Sequence, residues 1–342
     1  MNHKSALRGT ALLVGAALAL TGCSTVGSVA APKASSNAKM VMVTVVKAQT
    51  IPWFQRMDVG VKSFASRTGV DARQEGADDV SPEKQVKIIQ DLIAQHPTAI
   101  TVVPNSPESL TSVLKQAKDQ GIIVVSHEAT GIANVDIDIE AFDNASYGKE
   151  IMDNLSKCMG GKGEYVQFVG SLTAKTHMEW VGAAYADQTA NFPGMKRVET
   201  PIESTDDQGT AYARAKEVLA KYPNIAGFEG SAGNDVPGIA RAVQEAGLQN
   251  KTCVMGTSIP SVANQYLADG SIDKIFFWDP ALAGEAQLAI AQILAKGGSI
   301  KEGTDLGIKG YNSLKKLAGY DNVFVGAASV AADAKTAAQY KF

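Results

Sequence analysis

The sequence predicts an α/β protein of two similar doubly wound parallel-sheet lobes joined by a hinge. Two observations carry this. From Met40 onward short β-branched runs alternate with helical stretches, the pattern of βαβ units around a parallel sheet. The series then occurs twice, on either side of a connecting stretch from Gly131 to Lys157.

The first series reads strand Val41 to Val46, helix Phe54 to Arg67, strand Val70 to Gln74, helix Ser81 to Gln95, strand Ala99 to Val103, helix Ser106 to Gln120 and strand Ile122 to Ser126. Two of its helix starts, Ser81-Pro82-Glu83 and Ser106-Pro107-Glu108, combine an N-cap residue, a first-turn proline and an acid suited to the helix dipole. The second series opens at strand Glu164 to Gly170. It continues through helix Ala174 to Ala190, strand Lys196 to Thr200, helix Gln208 to Lys221, strand Ile225 to Glu229, helix Val236 to Ala246 and strand Thr252 to Gly256. Strand Lys274 to Trp278 and helix Ala281 to Ala295 follow, with a second crossing between lobes expected near Asp279. The lobes are therefore expected at 40–130 together with about 280–342, and at 140–279. Asp136 and Asp138 lie in the crossover and are expected to face solvent.

Residues 1–22 read as a signal peptide, with Lys4 and Arg8 ahead of an apolar run from Ala11 to Leu20. That run is far shorter than the ~20 residues that span hydrocarbon. Leu20-Thr21-Gly22-Cys23 resembles a bacterial lipobox, which implies that Cys23 is lipidated and becomes the mature N-terminus. Residues 23–39 are rich in Ser, Ala, Gly, Pro and Asn and read as a flexible tether.

Of the 32 basic residues, removing Lys4 and Arg8 leaves 30 against 35 acidic, a balance that argues against nucleic acid as a partner. Beyond Cys23 only Cys158 and Cys253 remain. An exported chain permits them to pair, and the sequence leaves the paired and free forms both open. Neither has a His or Cys neighbour at zinc spacing, so no metal site is expected.

In open parallel sheets ligands sit beyond the carboxyl ends of the strands. The loops at those ends are rich in aromatic and polar residues: Lys47-Ala48-Gln49, Pro52-Trp53-Phe54, Ser126-His127-Glu128, the segment from Ser171 to Glu179, Gly230 to Asp235, and Trp278-Asp279-Pro280. Trp53, Phe54 and Trp278 are expected to sandwich the apolar face of a sugar ring. Lys47, Gln49, His127, Glu128, Thr176, His177, Ser231, Asn234, Asp235 and Asp279 are expected to bond its hydroxyls, charge-assisted bonds being the stronger kind.

At these loops, over about residues 40 to 320, the chain resembles the ribose-type (type I) periplasmic binding proteins of sugar importers, especially the rhamnose and autoinducer-2 receptor branch. The resemblance rests on Ile51-Pro52-Trp53-Phe54, Ser126-His127-Glu128, Gly233-Asn234-Asp235 and the run from Gly256-Thr257-Ser258 through Phe277-Trp278-Asp279. It implies capture of a small sugar, polyol or autoinducer-2-like ligand without catalysis or cofactor. It also implies delivery by a lipid-anchored monomer in the periplasm or at the cell surface to the membrane permease of an ABC transporter. Lys47 matches the autoinducer-2 receptors. Thr176-His177 stands where they carry Asp-Gln, and Ser231 and Gly233 stand where they carry proline and alanine. A pentose, hexose or polyol is accordingly expected ahead of autoinducer-2.

Two other classes fit the sequence less well. A secreted carbohydrate-active enzyme would set Glu128, His177 and Asp279 as acid, base and orienter, but no nucleophile elbow, phosphate loop or dinucleotide fingerprint is present. A ligand-sensing repressor core shares the two-lobed fold, but the sequence offers an export leader and no helix-turn-helix.

Overall fold

A computed structural model describes residues Lys39–Phe342, and Cys23, the leader and all but the last residue of the tether lie outside the described residues. The first lobe is laid down as β1 (Val41–Val46), α1 (Pro52–Thr68), β2 (Asp71–Gly76), α2 (Pro82–Ile93), β3 (Ala99–Val102), α3 (Pro107–Asp119), β4 (Ile123–Ser126) and β5 (Ile137–Glu140). The second follows as α4 (Asn144–Met159), β6 (Gly163–Val169), α5 (Lys175–Asn191), β7 (Met195–Arg197), β8 (Ile202–Glu203), α6 (Gln208–Lys221), β9 (Gly227–Gly230), α7 (Asp235–Glu245), β10 (Cys253–Thr257), α8 (Pro260–Asp269) and β11 (Lys274–Phe277). The chain ends with α9 (Pro280–Ala295), β12 (Lys315–Lys316), β13 (Val323–Val325) and β14 (Val330–Ala332).

The first sheet runs β12-β13-β5-β4-β3-β1-β2, and the second β14-β11-β10-β9-β6-β7 with β8 also on β6. Only β12 and β14 are antiparallel to their neighbours. Each sheet reverses strand order once, between β1 and β3 and between β6 and β9, which is where this architecture opens a crevice.

Both faces of the first sheet are buried, as a parallel sheet requires. On β1, Val43 and Val45 pack toward Leu92, Leu110 and Leu114 of α2 and α3, while Met42 and Val46 belong to the cluster containing Met57, Val61 and Phe64 of α1. Ser81 caps α2 by accepting the Lys84 amide at 3.2 Å. Ser106 makes no such cap, and its hydroxyl donates to Glu108 at 3.3 Å.

Helices α1 and α9 approach so closely that a Cβ on Gly60 would stand 1.9 Å from the Ala281 carbonyl oxygen. The second lobe repeats the device: a Cβ on Gly148 of α4 would stand 2.2 Å from the Trp180 carbonyl oxygen of α5.

Three features correct the sequence reading. β5 pairs with β4 and β13, so the first lobe runs past 130 and the crossing falls after Glu140. β14 pairs with β11, so the last residues return to the second lobe and the chain crosses three times, not twice. A three-residue strand carries no periodicity to read. Asp138 is fully buried, accepting the Ser126 hydroxyl at 2.6 Å, because β5 is covered on both faces. Asp136 is half-buried, bonded to the Val124 amide and paired with Lys118.

Cys158 and Cys253 form a disulfide, with Cα atoms 6.1 Å apart, that ties the end of α4 to the start of β10. Among the described residues no helix is long and apolar enough to cross a membrane.

Gly148→Ala should lower the free energy of unfolding by about 1–3 kcal/mol in urea titrations, because the methyl must displace the α5 backbone. Unchanged stability would show that α4 and α5 separate without cost.

Candidate functional site

The carboxyl ends of strands from both sheets face one another around a buried cavity. From the first lobe, Lys47 directly follows β1, and Ile51, Trp53 and Phe54 stand at the start of α1. Pro52 fixes the first helical turn and so directs the two rings inward. Glu128 stands in the loop just past β4 and adopts a left-handed backbone (φ 57°) that is uncommon and costly for a non-glycine residue and turns the carboxylate into the cavity. The second lobe contributes His177 and Trp180 of α5, Asp206 ahead of α6, Ser231 and Gly233 after β9, and Thr257 at the end of β10. Trp278 follows β11, where the chain crosses back.

Trp278 is the hub of this wall. Its ring lies edge-on to Trp53 at 4.6 Å, to Phe142 at 5.1 Å, to His127 at 5.8 Å and to Trp180 at 5.8 Å. Trp53 and Trp278 touch each other, so the expected sandwich with a ligand ring between them is replaced by a single faceted aromatic wall. The indole N–H groups of Trp53 and Trp278 are buried without an acceptor among the described residues. Such donors ordinarily find a partner when buried.

Residues 42–299, from β1 to just beyond α9, match the model of the periplasmic binding protein domain. The chain belongs to the periplasmic binding protein domain family. A D-ribose/D-allose-binding protein of Pseudomonas aeruginosa is 24% identical over 269 residues, 75% of this chain and 82% of that one. The solved structure of LsrB from Clostridium saccharobutylicum in complex with AI-2 superposes with a TM-score of 0.82 at 18% identity, covering 89% of this chain and 100% of that one. An ABC transporter solute-binding protein of Clostridium phytofermentas with bound L-rhamnose superposes with a TM-score of 0.81 at 21% identity, covering 89% and 99%. These likenesses bear out the two-lobed type I fold.

In this periplasmic binding protein the cavity's central polar contact is Lys47 to Glu128, Nζ to Oε2 at 3.0 Å, with both side chains buried. Burial works to lower the Lys47 pKa, but Glu128, Asp206 and Glu140 outweigh it and hold the ammonium above its ordinary value. Burial pushes His177 well below its ordinary value, and Lys47 adds to this. Its imidazole is neutral, and because Nδ1 accepts the Gly170 amide at 3.2 Å the proton sits on Nε2. His127, also lowered by burial, directs Nδ1 to the Ile139 carbonyl at 2.5 Å.

Lys47, Trp53, Phe54, Glu128, His177, Ser231 and Trp278 all line the cavity as the sequence reading placed them. Others stand behind it. Asp235 accepts the amides of Ser231 and Ala232 at 3.1 and 2.8 Å, shaping the β9 loop. Asn234 donates to the Asp206 carbonyl at 2.8 Å. Thr176 is buried with its hydroxyl unpaired among the described residues, and His127 stands behind the wall, edge-on to Trp278 with Nε2 3.9 Å from Glu128 Oε1. Gln49 lies outside on the surface, bonded to Asp78 at 3.2 Å.

Asp279 is the clearest correction. Its carboxylate accepts the Ala281 amide at 2.9 Å, capping α9, and receives both Nε and Nη2 of Arg56 at 2.8 and 2.7 Å. The crossing turns it away from the cavity because the helix starts immediately after it and needs an acceptor.

Ile51, Trp180, Asp206, Gly233 and Thr257 also line the cavity and are not among the residues the sequence assigns to it. Trp180 sits among the apolar neighbours of His177 and reads as core. Asp206 is hidden by Asp207, the residue that caps α6 by accepting the Thr210 amide at 2.7 Å.

Asp279→Ala should cost roughly 1–2 kcal/mol of stability through the lost cap and the broken, partly exposed ion pair, and leave ligand affinity unchanged. Chemical denaturation with calorimetry separates the two, and an affinity loss in the folded fraction would return Asp279 to the site.

Burial raises Glu229 to about 8, and Asp138 and Asp235 to about 7. The folded chain therefore keeps protons that the unfolded chain releases near pH 4. Their contribution to stability is fullest below that pH and should be lost as pH rises through about 7 to 8. Urea midpoints measured from pH 5 to pH 8 test this, and Glu229→Gln should flatten the slope.

Proposed function

We propose that the chain is an exported solute-binding lipoprotein that captures one small sugar or sugar-like molecule in the interlobe cavity. In this reading it delivers the captured molecule to the permease of an ABC transporter. The observation that carries this reading is the composition of the cavity wall. Indole rings from both lobes meet there, beside a buried Lys47–Glu128 pair, with unpaired indole N–H groups and the hydroxyls of Ser231 and Thr257. Rings offer stacking surface to the C–H face of a sugar, while the charged and hydroxyl groups suit its edge. The ligands named for the similar proteins, D-ribose or D-allose, AI-2 and L-rhamnose, are all of this small polyhydroxy kind.

Closure follows from the fold. Ligand contacts drawn from both lobes are complete only when the lobes are together, so binding shifts the population toward the closed form, and three crossing segments supply the hinge. The lipobox at Cys23 supports membrane tethering, with a monomer working beside its transporter in the periplasm or at the cell surface. Among the cavity-lining side chains no serine or cysteine is held by a base, which favours capture over chemistry.

A thermal-shift screen of residues 39–342 against pentoses, hexoses, polyols and autoinducer-2 tests the reading. One of these should raise the melting temperature in a concentration-dependent way, as ~2.7 kcal/mol is added at 100 times the Kd. Absence of any shift, or recovery of a chemically altered ligand, would overturn it.

A further inference from the structure

Asp206 is the one charged group that the second lobe presents to the cavity, and its placement is specific. Thr205 and Asp206 both adopt left-handed backbone, with φ of 58° and 53°. Two such residues in succession, one of them β-branched, persist only where surrounding contacts enforce them. Those contacts are present. Asn234 Nδ2 holds the Asp206 carbonyl at 2.8 Å, the Ser204 amide donates to Val169 at 2.9 Å, and the carboxylate lies flush against Gly170, where a Cβ would stand 2.4 Å from Oδ2. The strain has no capping purpose, because Asp207 caps α6. Among the described residues no hydrogen-bond donor reaches the Asp206 carboxylate, although the residue is nine-tenths buried.

Charge at the cavity is therefore unbalanced. Lys47 is the only Lys or Arg among the lining residues, and it is committed to Glu128. Glu128 and Asp206 are two carboxylates against that single ammonium, and His177 adds none. An anionic ligand would meet two acids and no free cation in a site that water leaves on closure. Desolvation and like-charge repulsion would go uncompensated. A hydroxyl or an ammonium would instead donate to Asp206.

We infer that Asp206 is a ligand-binding, specificity-determining residue, and that with Lys47 and Glu128 it makes this cavity accept neutral or amino-bearing sugars and reject sugar acids. This rests on the sugar-binding reading and deepens it.

Calorimetry on the full mature chain decides the matter. The probes are D-ribose and the D-galactose, D-glucose and D-mannose series, each of the three hexoses as neutral sugar, uronate and 2-amino sugar. At least one neutral or amino form should bind, with its uronate on the order of 100-fold weaker or worse. Asp206→Asn should weaken the neutral and amino forms ~10- to 150-fold and narrow the gap to the uronate. Asn234→Ala, which frees the loop and leaves the carboxylate intact, should move affinity the same way by less. A uronate bound as well as its neutral parent, or unaltered neutral affinity in Asp206→Asn, overturns the inference and leaves the sugar-binding reading standing. If Asp206→Asn does not fold, the wild-type ratio of neutral sugar to uronate and the Asn234→Ala result still decide. Wild-type protein that binds none of these sugars overturns the inference, and the sugar-binding reading falls with it only if the screen of pentoses, hexoses, polyols and autoinducer-2 is negative as well.

Discussion

The arrangement of the two lobes depends on Trp278. It stands at the crossing from β11 to α9, and its ring meets Trp53 and His127 of the first lobe and Tyr147 and Trp180 of the second. Aromatic pairs of this geometry add about 0.5–1.5 kcal/mol each beyond the area they bury. The seam is therefore held at a point on the hinge itself, where a small rotation moves the lobes' outer edges far and the rings little.

A polar seam completes the closed form. The Thr130 hydroxyl from the first lobe lies 2.8 Å from Glu179 and 3.2 Å from Glu140, while Asn144 donates to both Thr130 and Glu179. The same asparagine accepts the Trp180 indole at 2.8 Å, so the residue that joins the lobes also fixes one ring of the cavity wall. Burial raises Glu140 well above its ordinary value, with Asp138, Glu128 and Glu179 adding to the shift. Carboxylates are thus concentrated beside the hinge, and Glu140 and Glu179 each accept from hydroxyl or amide donors, which is a condition for tolerating them in low dielectric.

Which parts of this were legible beforehand follows from the range of the signals. Lys47, Glu128 and Trp278 stand just past the ends of apolar strands, and a charged or indole residue at such a position has few reasons to be there other than the cleft. Asp279 occupies the same kind of position and belongs to α9, because a residue before Pro-Ala-Leu is also a natural helix cap. Local sequence holds both meanings, and only the path of the chain chooses between them. Asp206 failed in the opposite direction, its role masked by an adjacent aspartate that does the capping.

The sequence by itself determined the two-series α/β architecture and the strand-end loops that face the cavity. These depend on periodicity, turn residues and short motifs, which act within a few residues. Tertiary structure alone decided the third crossing, the Cys158–Cys253 pairing, the burial of Asp138 and the set of charges around Lys47. Each of these joins residues far apart in the chain, and a contact of that kind is set by how the sheets pack and leaves no trace in local pattern.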